Sequence, residues 1–116
     1  MTTSDCIFCK IIKREIPSSV IFENDQILAF EDIKPQAPVH ILIIPKRHIV
    51  KTPDLKDGDT ILVGKLLLVA RDLAHLKGLD ESGYRIVLNS GADAGQEILH
   101  LHVHLMGGRK FSWPPG

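Results

Sequence analysis

The sequence predicts an α+β fold, with five strands in an antiparallel sheet, one long helix and one short helix. Three observations carry this. Short apolar runs with strand patterning recur along the chain, joined mostly by short links, and one pair is separated by the turn signal Asn24-Asp25. Only one stretch, from about Asp59 to Lys77, keeps a helical period over a long span. The segment His100-Leu101-His102-Val103-His104-Leu105-Met106 alternates with period two, a strand pattern close to the C-terminus.

At 116 residues and 44% hydrophobic content, the chain suits one domain over 1–116 with a real core. Fourteen basic residues balance fourteen acidic ones. No global field therefore draws in nucleic acid or a membrane, and neither is expected as a partner, although local groups can still hold a small anion. Met1-Thr2-Thr3-Ser4-Asp5 lacks the basic segment and long apolar run of a signal peptide. No apolar run is long enough for a transmembrane helix. The expected compartment is the cytoplasm, or also the nucleus in a eukaryote, where Cys6 and Cys9 stay as thiols.

Taken in order, Cys6 to Lys13 reads as a short helix with Asp5 as its N-cap, ended by Glu15-Ile16-Pro17. Val20 to Glu23 and Ile27 to Ile33 read as a hairpin. Lys34-Pro35-Gln36-Ala37-Pro38 is a loop stiffened by its prolines. Val39 to Ile44 is a central strand buried on both faces, stopped by Pro45 and interrupted by His40. From that strand alone, His40 is either a hydrogen-bonded core histidine or a member of a site. Thr52 to Gly58 is an irregular link.

In the long helix, Leu62, Leu66, Val69, Leu73 and Leu76 form one apolar stripe. Val63, Leu67, Ala70 and Ala74 form a second beside it, with Ile61 and Leu68 further round. One sheet does not cover so wide an arc, so a second subunit is expected on it, giving a homodimer. Gly78 stops the helix. Tyr84 to Asn89 is the next strand, and a Gly-rich loop leads to the histidine segment. Trp113, the only tryptophan, is expected to pack somewhere despite the Pro-rich tail around it.

On a strand, His100, His102 and His104 share one face and Leu101, Val103 and Leu105 share the other. A row of imidazoles can supply a nucleophile, a proton donor and a metal ligand near neutral pH. A polar strand face or an adventitious metal site is the plainer alternative. Three histidines in alternation, with Asn89-Ser90-Gly91 and Gly95-Gln96-Glu97 before them and Gly107-Gly108-Arg109 after, favour a site with loops around it.

This segment resembles the signature of the histidine-triad (HIT) family, His-φ-His-φ-His-φ-φ with φ apolar, at every position. Ala29 to Ile33, Pro35 to His40, Gly83-Tyr84-Arg85, Asn89, Gly95-Gln96, Gly107-Gly108-Arg109 and Trp113 to Gly116 resemble its Hint branch, the histidine-triad nucleotide-binding proteins. The resemblance runs from about Ile7 onward. It implies a HIT-like fold and a homodimer. It also implies purine nucleoside phosphoramidase chemistry: cleavage of the P–N bond of adenosine 5′-phosphoramidates and related adenylates through a covalent nucleotidyl-histidine, releasing AMP. On that resemblance His102 is the nucleophile, and His40 is the fourth active-site histidine beside His100 and His104. Asp32 meets the ribose hydroxyls. Ile21, Phe30, Ile33 and Leu42 belong to the purine pocket, and Asn89, Gln96 and His104 to the phosphate.

Imidazole is unprotonated near pH 7 and fits attack on phosphorus. The leaving amine needs a proton, which His104 or His40 can supply, and the sequence does not choose between them. Backbone N–H groups near Gly95, with Asn89 and Gln96, are candidates to steady the phosphoryl oxygens. No metal cofactor is expected for catalysis. Glu97 departs from relatives that carry serine after the glutamine, which bears on the choice of leaving group.

Cys6-x-x-Cys9 has the spacing of a zinc half-site, and His48 with His100 would complete a tetrahedron. The four match the structural zinc ligands of some, mainly bacterial, HIT relatives. Two small apolar helix residues is the plain alternative. A thioredoxin-like redox pair is a third, without the βαβ context it wants. For function, the alternatives to a phosphoramidase are a dinucleoside polyphosphate hydrolase, a nucleotide-sensing module with incidental catalysis, and a zinc-storage or structural protein. The last leaves Asp32, Asn89 and Gln96 without a role.

Overall fold

The turn read at Asn24-Asp25 forms as a side-chain-capped hairpin. Asn24 Oδ1 accepts from the backbone N–H groups of Gln26 and Ile27, at 2.9 and 2.8 Å. The computed structural model describes residues 3–116. Met1 and Thr2, where the stretch read as lacking a signal peptide begins, lie outside the described residues. In chain order the elements are α1 (Ile7–Ile12), β1 (Val20–Glu23), β2 (Ile27–Glu31), β3 (Val39–Pro45), α2 (Thr60–Leu76), β4 (Tyr84–Leu88) and β5 (Val103–Gly107), with short 3-10 turns between some of them. The strands make one sheet in the order β1-β2-β3-β5-β4, antiparallel throughout. This is the predicted α+β architecture. No helix of the described residues is long and apolar enough to cross a membrane.

Because side chains alternate along a strand, each central strand feeds two layers. Ile41 and Ile43 of β3, with Val103 and Leu105 of β5, pack against Leu66, Val69, Leu73 and the other buried residues of α2. Leu28, Phe30, Leu42 and Ile44 point the other way, against Phe8, Cys9 and Ile11 of α1. The site lies on this second face. β3 is buried on both sides, as its unbroken apolar run predicts, and Pro45 is its last residue rather than a stop outside it.

The structure corrects several expectations. The cap of α1 is Cys6, not Asp5: its sulfur accepts from the backbone N–H of Cys9 at 3.4 Å. β2 ends at Glu31 and β4 at Leu88, each shorter than its apolar run. Thr52 to Gly58 contains two 3-10 turns, Thr52–Asp54 and the start of Asp57–Asp59. The histidine segment enters the sheet ladder only at Val103, so His100 and His102 precede β5; the alternation still holds, with Leu101, Val103 and Leu105 in the core under α2 and the His100, His102 and His104 rings on the α1 side. The chain is drawn aside there because the backbone N–H of Leu101 bonds to Ile49 O at 2.6 Å, outside the sheet ladder.

On α2, Leu62, Leu66, Val69 and Leu73 are buried as predicted, with Ala70 and Ala74. Leu76, the last residue of the helix, is 70% exposed. Gly78 follows the helix with φ 73°, the left-handed conformation expected of a stop residue. The helix packs over β3 and β5; on β4, Tyr84 packs against the same core while Ile86 and Leu88 stay exposed. Val63 and Leu67 on the helix are exposed too. Trp113 does not pack into the chain and is 82% exposed. The tail is held one residue earlier, where Arg85 donates to Ser112 O at 2.8 Å, and Phe111 lies under the guanidinium groups of Arg85 and Arg109.

Candidate active site and metal centre

A cavity of about 440 Å³ opens on the α1 face of the sheet. Its apolar wall comes from Ile7, Phe8, Ile11 and Ile16 on one side and Phe30 and Leu42 on the other. Its polar groups include Asp32, Lys34, His40, Asn89, Glu97, His102 and His104, with Ile33 at the rim. Most of the residues proposed for nucleotide contact are thus brought together. Two are not. Ile21 packs with the helix-side core, because a bulge in the β1–β2 register between Val20 and Phe22 breaks the alternation there. Gln96 is buried behind the pocket wall: its side-chain oxygen accepts from Gly91 N–H at 2.9 Å and its amide donates to Val50 O at 2.6 Å and Ile98 O at 3.2 Å.

Gln96 therefore fastens the loop that presents Gly95, Glu97 and Ile98 to the cavity. Gly95 takes a left-handed turn, φ 80°, that strains any side chain. The N–H groups of Gly95 and Gln96 already donate to Ala92 O and Gly91 O, at 3.0 and 3.1 Å. They are spoken for within the loop, contrary to the expected role on phosphoryl oxygens. The contribution of α1 to the pocket was missed from sequence. Ile7, Phe8 and Ile11, at helical spacing around the two cysteines, are the sequence signal for it.

Hydrogen-bond accounting assigns the histidine tautomers. His102 Nδ1 lies 2.7 Å from His100 O and must donate, which leaves Nε2 as a lone pair on a ring that lines the cavity. His40 Nδ1 accepts from Gln36 N–H at 3.0 Å, so His40 Nε2 carries hydrogen and donates to His104 Nδ1 at 2.9 Å. His104 in turn carries its hydrogen on Nε2. Asp32 Oδ2 lies 3.5 Å from His40 Nε2, and its Oδ1 accepts from Lys34 N–H at 2.8 Å.

Burial pushes all of these imidazoles below the ordinary histidine range. For His104 burial, then the neighbouring His102 and His40, bring it to about 4. His40 is lowered by burial and partly restored by the Asp32 carboxylate. His102 is lowered by burial and partly restored by its bond to His100 O and by Asp32. The His102 nitrogen is thus available as a nucleophile at neutral pH.

His100 belongs to a different group. Its Nε2 donates to Pro45 O at 2.8 Å, turning the Nδ1 lone pair toward Cys6 Sγ at 3.4 Å and Cys9 Sγ at 3.6 Å. His48 Nδ1 lies 3.3 Å from Cys9 Sγ and 3.2 Å from His100 Nδ1, and all four donors lie within 4.8 Å of one another. A tetrahedral zinc with ordinary bond lengths has edges of about 3.3 Å between nitrogens and about 3.6 Å between nitrogen and sulfur. The donor spacing fits that geometry. His48 Nε2 is buried without a partner among the described residues, so hydrogen bonding at that nitrogen does not orient the ring. Burial, then the Cys6 neighbour, pushes the Cys9 thiol up to about 11. A dication among these donors reverses that preference and stabilises the thiolates. These four residues could hold zinc as a closed structural site.

A HIT domain family model matches residues 13–111. The chain belongs to the HIT family. Its similarity to a 14 kDa zinc-binding protein of Brassica juncea is 51% identity, over 97% of this chain and 100% of that one. It is similar to the crystal structure of a HIT family hydrolase from Legionella pneumophila, with 53% identity, a TM-score of 0.95, and coverage of 97% and 100%. A zinc-bound histidine triad family protein from Mycobacterium smegmatis is 31% identical, with a TM-score of 0.82 over 93% of this chain and 78% of that one. The fold of this HIT chain is thereby that of the family, and both histidine groups sit on it.

Proposed function

We propose that this HIT protein is a nucleotide-binding hydrolase that cleaves the P–N bond of adenosine 5′-phosphoramidates and related adenylates, with His102 as nucleophile. The observation that carries the reading is the tautomer of His102: its Nδ1–H is held by His100 O, and its free Nε2 belongs to a ring lining a cavity with an apolar wall. The apolar lining from Ile7, Phe30 and Leu42 supports purine binding, and Asp32 on the same cavity supports contact with ribose hydroxyls. The Legionella relative is a HIT family hydrolase, which supports the reaction class.

In the first step His102 Nε2 attacks phosphorus, a P–N bond to His102 forms and the P–N bond to the amine breaks. The leaving amine takes one proton from the His40–His104 pair, which is neutral in the free chain and would take up that single proton as an anionic phosphoryl group binds beside it, with Asp32 as a further counter-charge. In the second step water attacks phosphorus and returns a proton to the pair, and the bond to His102 breaks, releasing AMP. His104 Nε2–H and the Asn89 amide are the donors that face the developing charge.

Cys6, Cys9, His48 and His100 would hold a structural zinc that fastens α1 to the sheet and takes no part in the reaction. The zinc-binding relatives from Brassica and Mycobacterium support that assignment. The working form is a homodimer through Ile86 and Leu88 of β4 and the exposed arc of α2. Rates on an adenosine phosphoramidate and on a diadenosine polyphosphate test the substrate class. Faster turnover of the phosphoramidate is expected, and the reverse order would move the protein to polyphosphate hydrolysis.

A further inference from the structure

We propose that Phe8 is a positioning residue that ties the metal centre to the nucleophile, so that zinc and nucleotide bind this chain cooperatively. The inference rests on the zinc and nucleotide readings above and adds a linkage between them.

Phe8 sits on α1 between the two cysteine donors, Cys6 and Cys9. Its ring is buried and meets three other rings edge to face. The centroids are 5.2 Å from His102 at 88°, 5.8 Å from His100 at 70°, and 5.5 Å from Phe30 at 74°. Such contacts are directional and fix ring orientation as well as distance. His102 is thus held at its Nδ1 by the His100 carbonyl, and its ring is flanked by Phe8 on one side and His104 on another, with centroids 4.8 Å apart in the second case. Both Phe8 and His100 are anchored through the same four-donor centre.

The helix that carries Phe8 has six residues and takes its N-cap from the Cys6 sulfur. A helix so short has little stability of its own and depends on what fastens it. On one side the fastening is the Cys6–Cys9 pair. On the other it is the cavity, where Ile7, 42% exposed, would be covered by a bound purine beside the already buried Phe8 and Ile11. Each ligand orders the helix the other needs, and the second to bind finds that ordering already done. The coupling is reciprocal by thermodynamic necessity.

The test uses the full chain with zinc and AMP as probes. Zinc affinity is measured by competition with a chelator, with and without saturating AMP, and AMP affinity is measured on zinc-loaded and metal-free protein. Each ligand is expected to tighten the other by the same factor, about ten-fold. The factor falls to about one in Phe8→Leu, which keeps an apolar side chain but loses the ring contacts, and it returns in Phe8→Tyr.

Amide hydrogen exchange at Ile7–Ile12 in the zinc-loaded protein carries the same test without metal-free material. AMP slows exchange there in the wild type and leaves it unchanged in Phe8→Leu. Independent affinities, or exchange insensitive to AMP, while both ligands bind, would overturn the linkage and leave the proposed function standing. Full coupling in Phe8→Leu would remove Phe8 from it. A wild-type chain that takes no zinc, or no AMP, in the single-ligand titrations overturns the reading beneath it, and with it the linkage.

Discussion

His40 Nε2 stands 2.9 Å from His104 Nδ1 while the backbone N–H of Gln36 occupies the other nitrogen of His40. Two imidazoles so placed can share one extra proton and not two, because a second would set two cations in contact inside a largely buried site. Asp32 is the carboxylate beside them, and His102 is the further titratable ring against His104.

Acid should therefore destabilise the protein through this pair. His104 lies at about 4 in the folded chain, against about 6.5 for an unperturbed histidine. Between those values the unfolded chain binds more protons than the folded one, so stability rises with pH. The contribution is complete above about 6.5 and is lost as pH falls toward 4, on the order of 2 kcal/mol for a partly buried group. Urea unfolding at pH 7 and pH 4.5 measures it, and His104→Asn should flatten the difference. A wild-type midpoint that does not fall with acid contradicts the assignment.

Removing the metal should cost stability. Protein purified without chelator is expected to carry about one equivalent of zinc, by metal analysis, as a closed four-donor site predicts. A hundred-fold excess of free zinc over its Kd stabilises the fold by about 2.7 kcal/mol, on the order of 10 °C in Tm for a chain this size. Cys9→Ser should remove most of that shift. Less than about a tenth of an equivalent in the wild type would defeat the zinc assignment.

Val63 and Leu67 on α2 and Ile86 and Leu88 on the edge strand β4 are exposed apolar side chains. An exposed apolar edge strand is a liability unless covered. Sedimentation at micromolar concentration should give a dimer for the wild type and a monomer for Leu67→Glu combined with Ile86→Lys. A monomeric wild type would rule the homodimer out.

Gln96 holds its loop by three hydrogen bonds, two of them to carbonyls that would lose their donor in Gln96→Leu. A loss of about 1–3 kcal/mol in denaturant unfolding is expected, with a fall in kcat as Gly95 and Glu97 lose their fixed positions. An unchanged kcat would mean that the loop does not need this anchor.

The sheet, its two helices and the buried stripe of α2 were legible because each follows one period for several residues. The bounds failed where tertiary contacts override that period. His100 lies ahead of the hydrogen-bonded strand, its two nitrogens facing Pro45 O and the cysteine cluster, and a sulfur rather than a carboxylate caps α1. Ile21 was misplaced by a bulge, which no alternation rule foresees. Gln96 was read as a phosphate contact because an amide beside glycines looks like a ligand group, and only the fold reveals that its partners lie at Gly91 and Val50. The dual use of α1 is not legible in the sequence, because pocket wall (Ile7, Phe8, Ile11) and cysteine donors (Cys6, Cys9) interleave along one short segment.

The most direct measurement combines turnover and binding in His102→Ala. With an adenosine phosphoramidate as substrate, the wild type should turn over and yield a transient AMP adduct mapped to His102 by rapid-quench mass spectrometry. His102→Ala should lose turnover by about 10⁴-fold or more while AMP binding weakens only a few-fold. Turnover that survives the substitution, or an adduct on another residue, would contradict His102 as the nucleophile.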